Sequence, residues 1–283
     1  MTKLVTERKY THEGSGTSFA GVLRSIFSEI GSSHNLGYRL AVRNIKARYR
    51  QSLLGMFWLF LPPIATSAVW ILLHQNNVVR FTAQAENYPL FVIIGTTLWQ
   101  IFSSSVVGPI QAVNSAKGIL TKINFPREAV LFTAFYEILL NAVIGMAIIL
   151  AAMVFIGDGL SISVLHLAGG VVLLIGLGMT LSLLLLPLAL LFQDILFALP
   201  TALQFAMYLT PVVYPKPIVS GIEWLFNANP VGIIIQNIRL ALMQSQAPDY
   251  SVFWIGGGVL IALVFGVVLF RIIMEVLIER MGG

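Results

Sequence analysis

Residues 43–63 read RNIKARYRQSLLGMFWLFLPP. Arg43, Lys46, Arg48 and Arg50 run directly into an apolar stretch that ends on a proline pair. Charge set against a long apolar run is the signature of a chain leaving water for lipid. The whole sequence agrees. Its 283 residues are 57% hydrophobic and only 10% charged, with a mean hydropathy of +0.87. Soluble domains carry about 25% charged residues. The sequence has no cysteine, which excludes disulfides and thiolate metal sites. Residues 1–35 are polar, lack the apolar centre of a signal peptide and read as a flexible cytoplasmic extension.

A helix needs about 20 apolar residues to cross the hydrocarbon core. Working outward from the opening stretch gives six such spans, at about 52–73, 89–113, 129–156, 162–192, 195–214 and 252–274. The fourth and fifth are separated by a tight turn at Gln193 and Asp194, and Pro62-Pro63 is expected to bend the first. Segment 218–244 is broken by Glu223, Asn227, Asn229, Pro230, Asn237 and Arg239. It reads either as two amphipathic helices on the outer surface or as a re-entrant helical pair dipping into the bilayer inside protein. The re-entrant pair is the expectation adopted, because a seventh span would strand Arg239 in lipid.

Basic residues orient the chain. Lys3, Arg8, Lys9, Arg24, Arg39, Arg43, Lys46, Arg48 and Arg50 precede the first span. Lys117, Lys122 and Arg127 follow the second, and Arg271 and Arg280 end the chain, whereas only Arg80, Lys216 and Arg239 fall on the opposite side. This asymmetry places both termini in the cytoplasm of an all-α, multi-pass membrane protein. In a bacterium that means the inner membrane.

Wound as a helix, residues 38–50 carry Tyr38, Ala41, Val42, Ile45 and Tyr49 on one face and Arg39, Arg43, Lys46 and Arg50 on a neighbouring one. Segment 36–51 therefore reads as an amphipathic helix in the cytoplasmic interface, its charges against anionic lipid head groups. The plain alternative is a simple positive-inside anchor. Four basic residues in register over three turns favour a second role, in contact with a cytosolic partner or an anionic substrate.

At this point the motifs resemble a known family. Arg43, Asn44, Ile45, Lys46, Arg48, Tyr49, Arg50, Gln51, Gly55, Trp58 and Pro62 are similar to the interfacial helix and first span of the permease subunits of bacterial polysaccharide ATP-binding-cassette exporters. Those permeases export O-antigen, capsule and teichoic acid. Tyr88-Pro89 with Gly95 and Trp99, the loop KINFPRE at 122–128, LTPVVYP at 209–215, and Asn229-Pro230 with Arg239 follow the family's order. The resemblance runs from about Gly37 to the C-terminus, with residues 1–35 as an extension. It implies a homodimer docked on two copies of a cytosolic ATPase subunit, moving a lipid-linked polysaccharide.

The energy source follows the same division. The sequence contains no G-x-x-x-x-G-K-[ST] phosphate loop, and the glycines of the spans read as close-packing positions. The chain is expected to bind no cofactor itself, with ATP and Mg held by the partner ATPase. Segment 114–128 is a short cytoplasmic loop. Ile119, Leu120, Ile123 and Phe125 could fill a groove, with Lys122, Arg127 and Glu128 at its rim and Pro126 as a stop. An ordinary connecting loop is the alternative; the resemblance implies the ATPase-coupling helix. Glu137, beside Asn141, is the acid deepest in a span. It reads as a proton site, or as a carboxylate paired with a cytoplasmic Lys or Arg or hydrogen-bonded to a neighbouring helix; its isolation favours the second.

Catalysis has no support. His12, His34, His74 and His166 are scattered without metal-ligand spacing, and no nucleophile–base pair can be drawn. Asp158 reads as a turn former. Phe57, Trp58, Trp99, Gln100, Ser103, Tyr208 and Tyr214 are candidate channel-lining residues. Aromatic planes stack on sugar rings, and span hydroxyls otherwise bond back to their own helix. Aromatics in an interfacial belt or facing lipid are the alternative. Six spans are few for a polymer conduit, so the path is expected at the two-fold axis of a homodimer. The leading reading is a transport permease, not an enzyme, with no nucleic-acid partner. The alternatives are a same-fold exporter of a drug or lipid, and a membrane scaffold or enzyme of lipid-linked sugar metabolism.

Overall fold

Long apolar runs must satisfy their backbone hydrogen bonds internally, and helices do so within one segment. In the computed structural model every regular element among the described residues is helical. The structure describes residues 19–50, 52–79, 87–120, 126–157, 164–215, 227–247 and 249–281, of which 19–30, 32, 119, 120 and 275–281 are described as backbone only. In chain order the elements are α1 (Phe19–Tyr49), a 3-10 turn (Gly55–Leu59), α2 (Leu61–Gln75), α3 (Tyr88–Leu120), α4 (Glu128–Phe155), α5 (Val164–Leu191), α6 (Gln193–Leu209), α7 (Pro230–Gln244) and α8 (Ser251–Met281). Among the described residues, four segments are long and apolar enough to cross a bilayer: Tyr88–Gly118, Glu128–Phe155, Val164–Leu191 and Ser251–Met274. They correspond to the second, third, fourth and sixth spans read from the sequence.

The other two expected spans are shorter helices. α2 has 15 residues and α6 has 17. At 1.5 Å per residue these are about 22 and 26 Å long, against a hydrocarbon core of about 30 Å. The first span does not begin at Ser52 and bend at its prolines. Residues 55–59 form the 3-10 turn, and Pro62 and Pro63 stand in the first turn of α2. Proline has no N–H to donate, and the first turn is where none is needed, so the pair starts a helix instead of kinking one. The break between α5 and α6 is Phe192 alone, held extended at φ −121° and ψ 107°.

The 36–51 interface helix is the C-terminal part of a longer helix that takes in residues 19–35, read from sequence as a flexible extension. Phe19, Val22, Leu23, Ile26, Phe27 and Ile30 recur at three- and four-residue intervals, an amphipathic period half hidden by the surrounding Gly and Ser. α1 lies along α4. The approach is close at Gly37, where an added Cβ would overlap Phe132 and stand 2.9 Å from the Ala129 carbonyl. Thr133 Oγ1 donates to the Gly37 carbonyl across the same contact, at 3.3 Å.

α3 is the hub, packed between α4 and α5 and against α2. Its core face carries Ile94, Leu98, Ile101 and Phe102. Glycines on the neighbours let it sit close. An added Cβ at Gly145 of α4 would meet Ile101 Cδ1 at 2.9 Å, and one at Gly178 of α5 would meet the Phe102 carbonyl at 2.9 Å. Ser67 of α2 and Thr96 of α3 share a buried hydroxyl hydrogen bond of 2.7 Å. A second apolar cluster joins α5 to α8 through Leu183, Leu186, Phe270 and Met274. The outward faces are apolar too: Ile64 and Val69 on α2, Phe197 and Phe205 on α6, Trp254, Ile261 and Phe265 on α8 are exposed. Such belts suit a hydrocarbon solvent.

Candidate functional site

Helical phase decides which polar residues of α3 meet. Gln100, Ser104, Gln111 and Ser115 stand at offsets 0, 4, 11 and 15, hence on one face. With Ser103 they line a cavity of about 510 Å³ between α1, α3 and α4, touched by Pro200 of α6. Along α3 its lining runs from Gln100 to Ala116, about 24 Å at 1.5 Å per residue. From α1 come Leu40, Arg43, Asn44 and Arg48; from α4 come Thr133, Glu137 and Asn141. Ser104 and Ser105 return their hydroxyls to the Ile101 carbonyl, at 2.9 and 2.7 Å. Ser105 is thereby absorbed into the core, while Gln100 and Ser103 remain on the cavity.

The α1 and α4 walls of the cavity are tied by a network centred on Glu137. Arg48 Nη2 donates to Glu137 Oε2 at 2.8 Å, an ion pair, and Asn44 Nδ2 donates to Glu137 Oε1 at 3.2 Å. Arg43 Nη2 donates to Asn44 Oδ1 at 3.3 Å. The Arg48 side chain is 55% exposed and that of Glu137 20%. Of the two sequence readings of Glu137, the structure has the paired carboxylate, and its cation is Arg48. The basic helix face therefore splits. Arg43 turns to the cavity, joined there by Arg48; Arg39 and Lys46 are exposed elsewhere on α1, and Arg50 is exposed just past its end.

The candidate lining residues do not form one surface. Trp58 borders a smaller pocket of about 90 Å³ with Pro62, Pro63, Gln100 and Asn141, so it adjoins the polar cavity. Phe57 is 55% exposed on the surface. Trp99 is 5% exposed and packs against Phe102, ring centroids 5.3 Å apart. It shares the core face of α3 with Phe102 and Val106, about 100° round the helix from Gln100. Tyr208 and Tyr214 are joined at the far end of α6, where the Tyr214 hydroxyl donates to the Tyr208 carbonyl at 2.6 Å and Tyr208 neighbours Trp70 at 6.3 Å. Asn44, Gln111, Ser115 and Asn141 are cavity residues that the sequence reading of the channel missed; the face shared by residues 100, 104, 111 and 115 was the available signal.

In the loop assigned to coupling, Lys122, Ile123 and Phe125 lie outside the described residues, as do Gln51, Asp158 and residues 218–226 of the segment read as re-entrant. Ile119 and Leu120 end α3. Pro126 and Arg127 lead into α4, half-buried. Glu128 is buried, with its Oε1 3.1 Å from Arg271 Nη1 of α8. Its carboxylate ties α4 to α8 and is not presented at a rim.

The remaining motifs converge at the other end of α3. Arg239 of α7 is 2% exposed. Its guanidinium donates to the Pro211 carbonyl at 2.8 Å and to the Val212 carbonyl, and its Cζ stands 3.6 Å above the Phe91 ring. Among the described residues it meets no carboxylate. Gly95 makes room, since an added Cβ would overlap the guanidinium and the Val212 oxygen. The Tyr88 hydroxyl donates to the Val213 carbonyl at 3.0 Å, and His74 stacks on Tyr88 at 4.0 Å. Asn229 caps α7 by accepting from Val231 and Gly232 N–H groups at 3.1 and 3.3 Å, and it donates to Thr210 Oγ1 at 2.8 Å. Tyr88, Gly95, residues 210–213, Asn229 and Arg239 thus build one cluster from three separate motifs.

No protein-family model matches the chain. Among curated proteins it is 29% identical over 215 residues to the O-antigen export system permease protein RfbA of Myxococcus xanthus, covering 74% of this chain and 81% of that protein. Two proteins of the same name from Klebsiella pneumoniae are 25% identical over 223 residues and 24% identical over 227 residues. They cover 75% and 76% of this chain and 83% and 85% of their own. The resemblance carried by the motifs extends over about three quarters of the chain: this is a multi-pass membrane protein homologous to O-antigen export system permeases.

Proposed function

We propose that the chain is the membrane-spanning permease subunit of an ATP-driven exporter that moves an O-antigen-like, lipid-linked polysaccharide from the cytoplasm across the bacterial inner membrane. The observation that carries this reading is homology to three O-antigen export permeases over about three quarters of the chain. The sequence has no phosphate loop, so ATP and Mg belong to a separate ATPase subunit. Two permease copies and two ATPase copies form the complex, with the polymer path at the two-fold axis.

In this reading both termini are cytoplasmic and α2 and α6 complete six crossings. The bilayer accommodates their short lengths by thinning or by polar residues at their ends reaching the interface. The 218–244 segment is re-entrant, consistent with an Arg239 whose charge is buried in protein instead of lipid. Segment 119–127 docks on the ATPase through Ile119, Leu120, Ile123 and Phe125, with Lys122 and Arg127 at the rim. ATPase closure displaces that segment and α1, and the gap between protomers opens. Gln100, Ser103 and Trp58 are the lining residues whose placement best supports contact with cargo. The test is co-purification of the chain with a co-expressed ATP-binding-cassette ATPase subunit, followed by ATPase assay of the reconstituted complex with lipid-linked polysaccharide. Stimulation by that substrate is expected. A complex stimulated by drugs or simple lipids and indifferent to polysaccharide refutes the reading.

A further inference from the structure

A second cavity, of about 410 Å³, lies at the N-terminal ends of α5 and α8, where α7 packs against both. Its walls are Leu165 and Leu173 of α5, Ile234 and Ile238 of α7, and Val252 and Phe253 of α8. Glycines set its shape. An added Cβ at Gly170 would overlap Ile238, so α7 closes on α5 there; at Gly169 nothing lies within 4 Å of an added Cβ, and the groove stays open. Among the described residues that line it none is charged, and two are polar, His166 and Asn237. Both stand at one level. His166 is in the first turn of α5, and Asn237 Oδ1 accepts from the Asp249 N–H, just before α8 begins, at 2.7 Å. The α5 and α8 segments cross the bilayer, so their first turns mark the lipid–water boundary. From Leu165 to Leu173 the groove runs about 12 Å into the apolar layer at 1.5 Å per residue, against about 15 Å for the hydrocarbon of one leaflet. Leu165 and Phe253 line it and are exposed, so it opens sideways to the surrounding lipid.

We propose that this groove holds one acyl chain of a bilayer phospholipid, with the lipid's glycerol ester at His166 and Asn237. Polar groups at the boundary above apolar walls about one leaflet deep are the profile of that amphiphile, and the volume is in the range of small-molecule sites. The polar end has capacity to receive it. Asn237 Nδ2 gives one N–H to the Ile233 carbonyl at 2.9 Å, and an amide carries a second, which an ester oxygen accepts. His166 Nδ1 is buried without a hydrogen-bond partner, a cost that a polar group arriving at the groove relieves. An empty apolar groove leaves three helices short of van der Waals contacts; the acyl chain supplies them and ties α7 to α5 and α8. The groove is separate from the Glu137 cavity, which α1, α3 and α4 enclose. Lipid occupancy needs only the membrane placement of the chain, so it stands or falls apart from the export reading.

The test uses the purified full chain with a co-expressed ATP-binding-cassette ATPase subunit. Native mass spectrometry counts retained palmitoyl-oleoyl phosphatidylethanolamine, and Tm is followed in delipidated protein with and without that lipid added back. Wild type is expected to retain one phospholipid per protomer and to gain Tm when lipid returns. Gly169→Leu puts a side chain into the open groove, and is expected to cut retention about tenfold and to abolish the lipid-dependent gain. Its delipidated Tm is expected to be at least that of wild type, because the leucine fills the space the acyl chain left. Gly258 is exposed on another face of α8 with open space around a Cβ, so Gly258→Leu is expected to retain lipid as wild type does. Should Gly169→Leu fail to assemble, His166→Phe keeps a ring and removes its nitrogens, and is expected to weaken retention about fivefold. The proposal is overturned if the groove variant that assembles retains lipid as wild type does, or if Gly258→Leu loses as much. Retention of detergent alone, or of geranylgeranyl pyrophosphate in preference to the phospholipid when both are supplied, overturns it as well. Any of these results with ATPase activity still stimulated by polysaccharide leaves the export reading intact.

Discussion

Replacing Gly95 by alanine sets two effects of opposite sign against each other. Inside a helix, glycine to alanine stabilises by about 1 kcal/mol through backbone entropy. At Gly95 the added Cβ would overlap Arg239 Nη2 and the Val212 carbonyl oxygen and lie 3.0 Å from Arg239 Cζ. The carbonyl is backbone and cannot rotate away. The guanidinium cannot retreat without leaving the Pro211 and Val212 carbonyls and the Phe91 ring. Each charge-assisted hydrogen bond is worth about 1.5–3 kcal/mol, and overpacking costs about 1–3 kcal/mol more. Steric exclusion wins, for a net loss of about 3 kcal/mol. For a chain of this size that lowers Tm by roughly 6–12 °C. Gly118 in the same helix has open space around a Cβ, so Gly118→Ala isolates the entropic term and leaves Tm unchanged or slightly raised. Thermal unfolding of both variants in one detergent is the assay. A Gly95→Ala protein as stable as wild type would refute the account of the Arg239 cluster.

Asn229→Ala removes the cap of α7 and its tie to Thr210; a loss of about 1–2 kcal/mol is expected by the same thermal assay. Thr96→Val breaks the buried hydroxyl pair with Ser67, and should cost less than about 1 kcal/mol, as interhelical hydrogen bonds in membranes usually do. Phe125→Ser is expected to leave folding intact while reducing ATPase co-purification, read by pull-down from membranes. Because the chain has no native cysteine, Lys122→Cys gives a background-free label. Modification by a membrane-impermeant maleimide is expected from the cytoplasmic side only.

The membrane class and four of the spans were legible in the sequence from composition and apolar length, and the pairing of Glu137 was the favoured of two readings because no second acid stands near it in the span. α1 was only half read: Gly31, Ser32 and Ser33 interrupt the pattern, although the apolar period from Phe19 onward continues through them. Pro62-Pro63 has two meanings, a kink or a helix start, and only the position of the preceding turn distinguishes them. The cavity was partly visible as the Gln100–Ser103 patch. Gln111 and Ser115 needed the helical phase of α3 to be carried past Pro109. Trp99 sits one residue from Gln100, yet that step is about 100° of rotation and turns it into the core. Arg239 could be recognised as too costly for lipid, but its partners are backbone carbonyls, which leave no mark in sequence.

Transport by purified components tests the central claim most directly. The permease is placed in sealed vesicles with and without its ATPase, and transfer of lipid-linked polysaccharide to the far side is followed in the presence and absence of ATP. Transfer only when ATPase and ATP are both present is the result this account requires. Transfer by the permease alone, without nucleotide, would contradict it.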